Sequence, residues 1–397
     1  MTGDSSTGHD SSWTESSSLV NGGPFYQAMR RMGLAERRRI LSRMVVWLIL
    51  TWLPLVILCL AKGTAWGDEV KIPLFVDYSV YGRFLVALPL LIAAEAIIDP
   101  FIRRVVSTFN SSGVIREEDL PAYRTAILEI ERLRDSKLVE FLLVIAAFFP
   151  FFLFAADYQW GFSIISTWHG TSTDGLSPAG WWFLLVSTPF LRFLMLRWLW
   201  RFGLWSYVLG RISRMNLALL ATHPDRLAGL GFVVLAQQQF GILAAAMGSV
   251  LAGQFANEII HFGLPPTEVR TETAVFIAIA LLVIFLPLTL FSFKLFEARR
   301  DGLLRYGMLA RGVTNRFDDK WVRTPESSPD AMIGTQDPSS LIDYISSYDV
   351  LHSTKVIPIT RRAVLSVTAQ AAAPFAVVWY LATPIDQLIV EVLKRLV

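Results

Sequence analysis

Seven predominantly apolar stretches of about twenty residues constrain this chain more than any other feature. A hydrocarbon layer about 30 Å thick takes roughly 20 residues of α-helix, and a helix satisfies all its backbone groups within itself. The stretches fall at 44–62, 81–101, 138–156, 180–202, 230–254, 273–293 and 363–382. They predict an all-α polytopic transmembrane bundle of seven spans, six being the alternative. The last stretch is interrupted by Pro374 and followed by the amphipathic tail IDQLIVEVLKRLV, so a re-entrant or interfacial segment reads similarly there. Composition narrows the class further: 53% of residues are hydrophobic and 17% charged, against about 25% charged in soluble proteins. A soluble enzyme or a nucleic-acid-binding domain is a poor fit. The single cysteine, Cys59, excludes an intrachain disulfide, a thiolate cluster and a CxxC pair.

Charge distribution sets the threading. With the N-terminus inside, the segments 1–43, 101–138, 197–229 and 294–362 are cytoplasmic and carry 29 of the 36 Lys and Arg. The opposite loop at 157–179 carries none, and that at 255–272 only Arg270. This is the positive-inside asymmetry, and it accounts for the pI near 9.0 without any nucleic-acid partner. Trp66, Trp160, Trp168, Trp181 and Trp182 read as the outer aromatic belt. Residues 1–24, rich in Ser, Thr, Gly and Asp, read as a disordered tail. Residues 25–397 read as one membrane domain. Its basic face adds helical segments at 117–137, 203–228, 294–320 and 337–353, the last opened by Asp337 as N-cap with Pro338 behind it. Amphipathic helices need partner surfaces, so this layer packs on itself, on the membrane or on another subunit.

Charges inside spans are expensive and mark candidate sites. Glu95 and Asp99 lie four residues apart on one face of the second span; Arg192 and Arg197 lie in the fourth. Counted from the outer interface, Glu95 and Arg192 fall at one depth, roughly 18–20 Å at 1.5 Å per residue. Asp99 and Arg197 fall about a turn deeper. The fifth span brings Gln237, Gln238 and Gln239 near the same level, spread about 100° apart, so at least one meets protein or water. These seven residues form either a polar pathway for a small ion or solute, or static pairs that orient helices. Prolines 54, 89, 150, 189, 287 and 374 interrupt most spans, whereas the fifth is rich in Ala and Gly and suits a central helix.

The most distinctive short segment is ATHPDRLAGLGF at 221–232, where His223, Asp225 and Arg226 stand beside a proline. It reads as a pH or anion sensor, or as a braced loop. HPDRLAGLGF resembles the HPDR-x-GGLGF stretch of an uncharacterised family of bacterial multi-pass membrane proteins, with departures at Leu227 and Ala228. The similarity extends through FDDKW at 317–321, DPSSLIDYISSYDVL at 337–351 and VIPIT at 356–360, covering the second half of the chain. It implies a bacterial inner-membrane protein and brings no activity with it.

Enzyme motifs are missing: no HExxH, GxSxG or GxxxxGK[ST] occurs, and the five histidines are scattered. Glu258 and His261 lack a third metal ligand, and no cofactor is expected. The sequence points to a channel or transporter for a small ion or solute, assembled as a homo-oligomer in the lipid bilayer. The alternative is a non-transporting scaffold or sensor that binds a partner through its cytoplasmic helices.

Overall fold

The computed structural model describes residues 18, 21–34, 39–149, 166–171, 175–323, 332 and 335–382. They form an all-α protein. In chain order the helices are α1 (Pro24–Arg31), α2 (Ile40–Lys62), α3 (Tyr78–Ser111), α4 (Leu120–Arg134) and α5 (137–149). After a short hairpin, β1 (Gly170–Thr171) with β2 (Gly175–Leu176), come α6 (Pro178–Ile212), α7 (Gly231–Phe262) and α8 (Glu268–Val322). The last two are α9 (Asp337–His352) and α10 (Arg361–Ala382). Among the described residues, six helices (α2, α3, α6, α7, α8 and α10) are long and apolar enough to cross a membrane. The chain is thus an integral, multi-pass membrane protein. The expected span at 138–156 is helical as far as residue 149, and the rest of it lies outside the described residues. Pro374 does not interrupt α10, which runs through it as a continuous helix; the tail at 385–397 lies outside the described residues.

The prolines act locally. Pro89 cannot donate a hydrogen bond to the turn before it, and the helix widens there to π geometry over Tyr81–Ala87, with the Leu88 N–H on the Arg83 carbonyl. Pro189 does the same over Phe183–Ser187, with the Thr188 N–H on the Phe183 carbonyl. Pro54 breaks α2 at Trp52. The carbonyls freed there are taken by α6: the Trp182 indole donates to Leu50 O at 3.1 Å and the Ser187 hydroxyl to Thr51 O at 2.6 Å.

Helix α7 is the most enclosed span, packed along α10 on one side and α3 on the other. Small residues make this possible. A Cβ on Gly82 of α3 would lie 2.3 Å from the Ser249 carbonyl oxygen, and one on Gly253 2.7 Å from that of Tyr78. Ala244, Ala246 and Ala252 of α7 are buried as well.

Three expectations about the basic end are corrected. Residues 203–228 are not one helical segment: α6 stops at Ile212, and 213–230 is a loop carrying Asn216, Pro224 and Gly229. This loop is stitched to the α3–α4 connection by Ala218 N–H to Val114 O and Asn216 N–H to the Asp119 carboxylate, both 2.7 Å. The tail expected to be disordered through residue 24 is in part docked: Ser18 is buried, Asn21–Gly23 are bonded to the bundle, and α1 starts at Pro24. The other residues of 1–17 and 19–20 lie outside the described residues. Asp337 opens α9 but does not cap it; its carboxylate turns to Lys320 and Trp321 of α8, at 2.5 and 3.0 Å.

Candidate functional site

Three arginines converge on Glu95. Its carboxylate faces three guanidinium groups: Arg43 of α2 at 2.5 Å, Arg201 of α6 at 2.9 Å and Arg197 of α6 at 3.2 Å. The three arginine side chains are 4–6% exposed, Glu95 10%. Arg197 and Arg201 are four residues apart and share a face of α6, whereas Arg192 is about 140° round the helix from Arg197. Arg192 is therefore not the partner of Glu95. Counting depth from the apolar boundaries placed the two residues level. The helices instead start at Tyr78 and Pro178, which makes Glu95 the 18th residue of α3 and Arg197 the 20th of α6. Arg192 remains half-buried, its Nη1 enclosed without a hydrogen-bond partner among the described residues.

Asp99, expected level with Arg197, faces the N-terminal segment. It accepts hydrogen bonds from the Ser18 hydroxyl, from Asn21 Nδ2 at 3.4 Å, and from Arg103 one turn on at 2.7 Å. Around this pair the segment before α1 is fixed at several points. Arg197 donates to Gly22 O at 3.1 Å, and Gly23 N–H donates to Asp135 at 2.8 Å. Phe25 N–H donates to Glu140 of α5 at 3.0 Å. The Phe25 ring lies 4.9 Å from the Arg197 guanidinium and packs against Trp47 and Phe193, so cation–π attraction adds to the ion pairs. Sequence reasoning missed Arg43, Arg201, Glu140 and this docked segment. Arg201 had left a signal, since two arginines at i and i+4 in an apolar helix share a face.

The three glutamines are not one site. Gln237 is fully buried and satisfied: its carbonyl oxygen accepts from the Trp205 indole at 2.8 Å, and its amide donates to the Ile284 carbonyl, where α8 tightens into 3-10 geometry around Pro287. Gln239 bonds back to Leu235 O at 3.1 Å, and Gln238 is half-buried.

In the loop before α7, Asp225 is a brace. Its carboxylate accepts from the N–H groups of Leu227 (2.8 Å), Gly229 (3.1 Å) and Gly231 (2.8 Å), and meets His223 Nδ1 at 2.9 Å. Burial alone would push this carboxyl up, but the three N–H donors and His223 hold it below the usual carboxylate range. The brace holds Arg226 and Ala228 at φ 57° and 54°, a region that costs about 1–2 kcal/mol for residues with a Cβ. The Arg226 side chain is exposed, and its carbonyl receives the N–H of Lys355 at 2.9 Å.

A second buried carboxylate sits at the hairpin end. Asp77 accepts from Ser79 N–H (3.0 Å) and hydroxyl (2.6 Å), Asn257 Nδ2 (2.7 Å) and the Trp168 indole (2.8 Å). It ties the α2–α3 loop to the hairpin and to α7. Trp168, expected in an outer aromatic belt, is instead wholly buried, with the His169 ring stacked on it at 3.7 Å. Burial of that imidazole lowers its pKa and keeps it neutral. Among the described residues no three His, Cys, Asp or Glu side chains gather as metal ligands, and His261 instead meets Val76 O at 2.7 Å.

The arrangement at Glu95 is an ion-pair cage whose remaining void is about 10 Å³, about the space of one water. It can hold three elements in register, and it presents no open surface to a solute. No protein-family model matches the chain, and no curated protein or solved structure matches it either.

Proposed function

We propose that this protein is a membrane scaffold or sensor, anchored by its spans and engaging a partner through a helical arm on the cytoplasmic side. The observation that carries the reading is the closed cage at Glu95: the charges that a pathway would need are consumed by one another. The arm supports it. Helix α8 continues 29 residues beyond the apolar stretch ending at residue 293, about 43 Å at 1.5 Å per residue. Helix α9 returns antiparallel along it, fixed by Lys320 and Trp321 on Asp337, Tyr344 hydroxyl on Tyr306 O, and Arg299 on His352 O at 2.8 Å. This pair leaves Leu304, Met308, Ile342 and Ile345 more than half exposed, apolar side chains that the arm itself does not cover. The basic ends of the spans favour a cytoplasmic arm, and the likeness of residues 223–232 to a bacterial family favours the inner membrane.

Conduction of a small ion or solute is the second reading, favoured by one observation, the partnerless Nη1 of Arg192 within α6. The test is ion flux in liposomes under K⁺ and Cl⁻ gradients at two pH values, with photo-crosslinking from position 308 in native membranes alongside. The scaffold reading expects no flux above empty liposomes and a 308 adduct that Leu304→Glu abolishes. Flux that changes with Glu95→Gln or Arg192→Gln overturns it.

A further inference from the structure

Outside the bilayer stretches, one cleft keeps its charges unspent. It has a volume of about 440 Å³, within the range of small-ligand sites, and lies between α8 and the loop 216–222. The wall from α8 is one helical face, Lys294, Glu297, Asp301 and Arg305, at spacings of three and four; Arg116 faces it from the α3–α4 connection. Among the described residues, Arg116, Lys294, Glu297 and Arg305 make no ion pair. Asp301 makes one, at the surface with its neighbour Arg300 at 3.2 Å. Glu95, by contrast, meets three guanidiniums.

The cleft is built, not a gap between loose segments. Its floor is bonded on both edges: Ala218 N–H to Val114 O at 2.7 Å, Leu220 N–H to Ala228 O at 3.3 Å, and the Thr354 hydroxyl to Ala221 O at 2.7 Å. Gly302 lets α8 close on that floor, since a Cβ there would lie 3.0 Å from both Ala221 and Leu351. Its level is also defined. Lys294 is the first charged residue after the apolar stretch of α8, and Phe293, Leu290 and Leu286 just above it are 67%, 47% and 58% exposed. Leu220 on the floor is 64% exposed. The cleft therefore opens where lipid tails meet headgroups.

We propose that this cleft binds a phosphoethanolamine group, presented by a lipid whose acyl chains lie over Leu286, Leu290 and Phe293. Both signs of charge are needed for such a ligand. Arg116, Lys294 and Arg305 match a phosphate, guanidinium groups by paired donors and the ammonium as a point charge. Glu297 and Asp301 match a primary ammonium, which donates three hydrogen bonds. A quaternary ammonium donates none and requires an aromatic cage, whereas Tyr306 is the sole aromatic residue of the lining.

Native mass spectrometry of the full-length protein, delipidated and then supplied with phosphatidylethanolamine, phosphatidylcholine or phosphatidylglycerol, tests this. The wild type holds phosphatidylethanolamine about tenfold more tightly than either other lipid, the scale of a lost charge-assisted hydrogen bond. Lys294→Gln with Arg305→Gln weakens every phospholipid, whereas Glu297→Gln with Asp301→Asn removes the preference over phosphatidylglycerol; Lys294→Arg retains binding. Soluble phosphoethanolamine separates the sources: displacement of the lipid at millimolar concentration assigns the site to a free ester, and failure to displace assigns it to a membrane lipid. Equal retention of all three lipids by the wild type overturns the proposal. So does undiminished phospholipid binding by the Lys294→Gln, Arg305→Gln pair, or retention of the preference over phosphatidylglycerol by the Glu297→Gln, Asp301→Asn pair, each variant being checked by its unchanged thermal midpoint.

Discussion

Replacing Glu95 by Gln tests the cage directly. The carboxylate is the shared acceptor of Arg43, Arg197 and Arg201, all at least nine-tenths buried, so solvent screens the pairs little. Removing one member of a buried ion pair costs about 3–5 kcal/mol, because the cations stay buried without compensation. At about 2 °C per kcal/mol for a large domain, the thermal midpoint falls by roughly 6–10 °C. The measurement is tryptophan fluorescence on heating the purified protein in mild detergent. Two double variants sharpen it. Glu95→Gln with Arg43→Gln removes one stranded cation, whose Nε already lacks a partner, and recovers at least about 1 kcal/mol. Glu95→Gln with Arg192→Gln recovers nothing, since Arg192 lies on another face of α6, and the two costs add within about 0.5 kcal/mol. The reasoning is refuted if Glu95→Gln melts with the wild type, or if Arg192→Gln rescues it and Arg43→Gln does not.

The brace before α7 gives a pH signature: Asp225→Asn places an amide against the Gly231 N–H and costs about 1–3 kcal/mol at neutral pH. Because the folded state depresses this carboxyl, its contribution is full above the ordinary value of 3.8 and lost as pH falls through the folded value. Melting curves should show a constant gap between wild type and variant from pH 5 to 8 that narrows below pH 4; a gap that widens on acidification contradicts the assignment. At the hairpin end, Trp168→Phe strips Asp77 of one donor and lowers stability by about 1–3 kcal/mol, read by chemical denaturation, with no effect if the indole were merely an interfacial anchor. Gly82→Ala and Gly253→Ala force α3 and α7 apart and cost about 1–3 kcal/mol each, while Gly203→Ala, whose added Cβ meets nothing within 4 Å, is neutral or stabilising by up to about 1 kcal/mol. Equal melting of all three glycine variants removes the close-packing argument.

Helix content and the positions of most spans were legible because hydropathy over twenty residues is a sum, and sums tolerate local error. Pairing across helices is not a sum. The depth count matched Glu95 with Arg192 from span starts at 81 and 180; the helices start at Tyr78 and Pro178, which shifts the relative register by one residue and leaves Arg192 and Arg197 both within three residues of the Glu95 level. Helical phase decides what depth leaves open: 192 and 197 point about 140° apart around the helix, whereas 197 and 201 are one turn apart on one face. The end of the tail, Ser18 and residues 21–24, departs from expectation for a different reason. Much of its docking runs through backbone groups of Gly22, Gly23 and Phe25, which carry no side-chain signal in a sequence, beside the Ser18 and Asn21 side chains on Asp99. Trp168 shows the same limit from the other side: an indole beside an apolar stretch fits a membrane interface and a buried donor to a carboxylate equally well, and only the position of Asp77 distinguishes them.

The two buried carboxylates show how this bundle spends its polar groups. At the hairpin end Asp77 is held by neutral donors, so its charge is spread over hydroxyl, amide, indole and backbone N–H groups that belong to three separate segments. At the basic end Glu95 is held by cations, and one of them, Arg197, reaches on to Gly22 and approaches Glu140 at 3.9 Å. That difference has a mechanical consequence. Neutral donors release a carboxylate one bond at a time, but a cation left behind in a low-dielectric site raises the cost of each further separation. The docked N-terminal segment, α2, α3 and α6 are therefore coupled more tightly than their apolar contacts alone require. A stimulus that moves α1 acts on all of them together. Such coupling would obstruct the independent helix motions by which a pathway opens, and for that reason it favours the proposed scaffold over conduction.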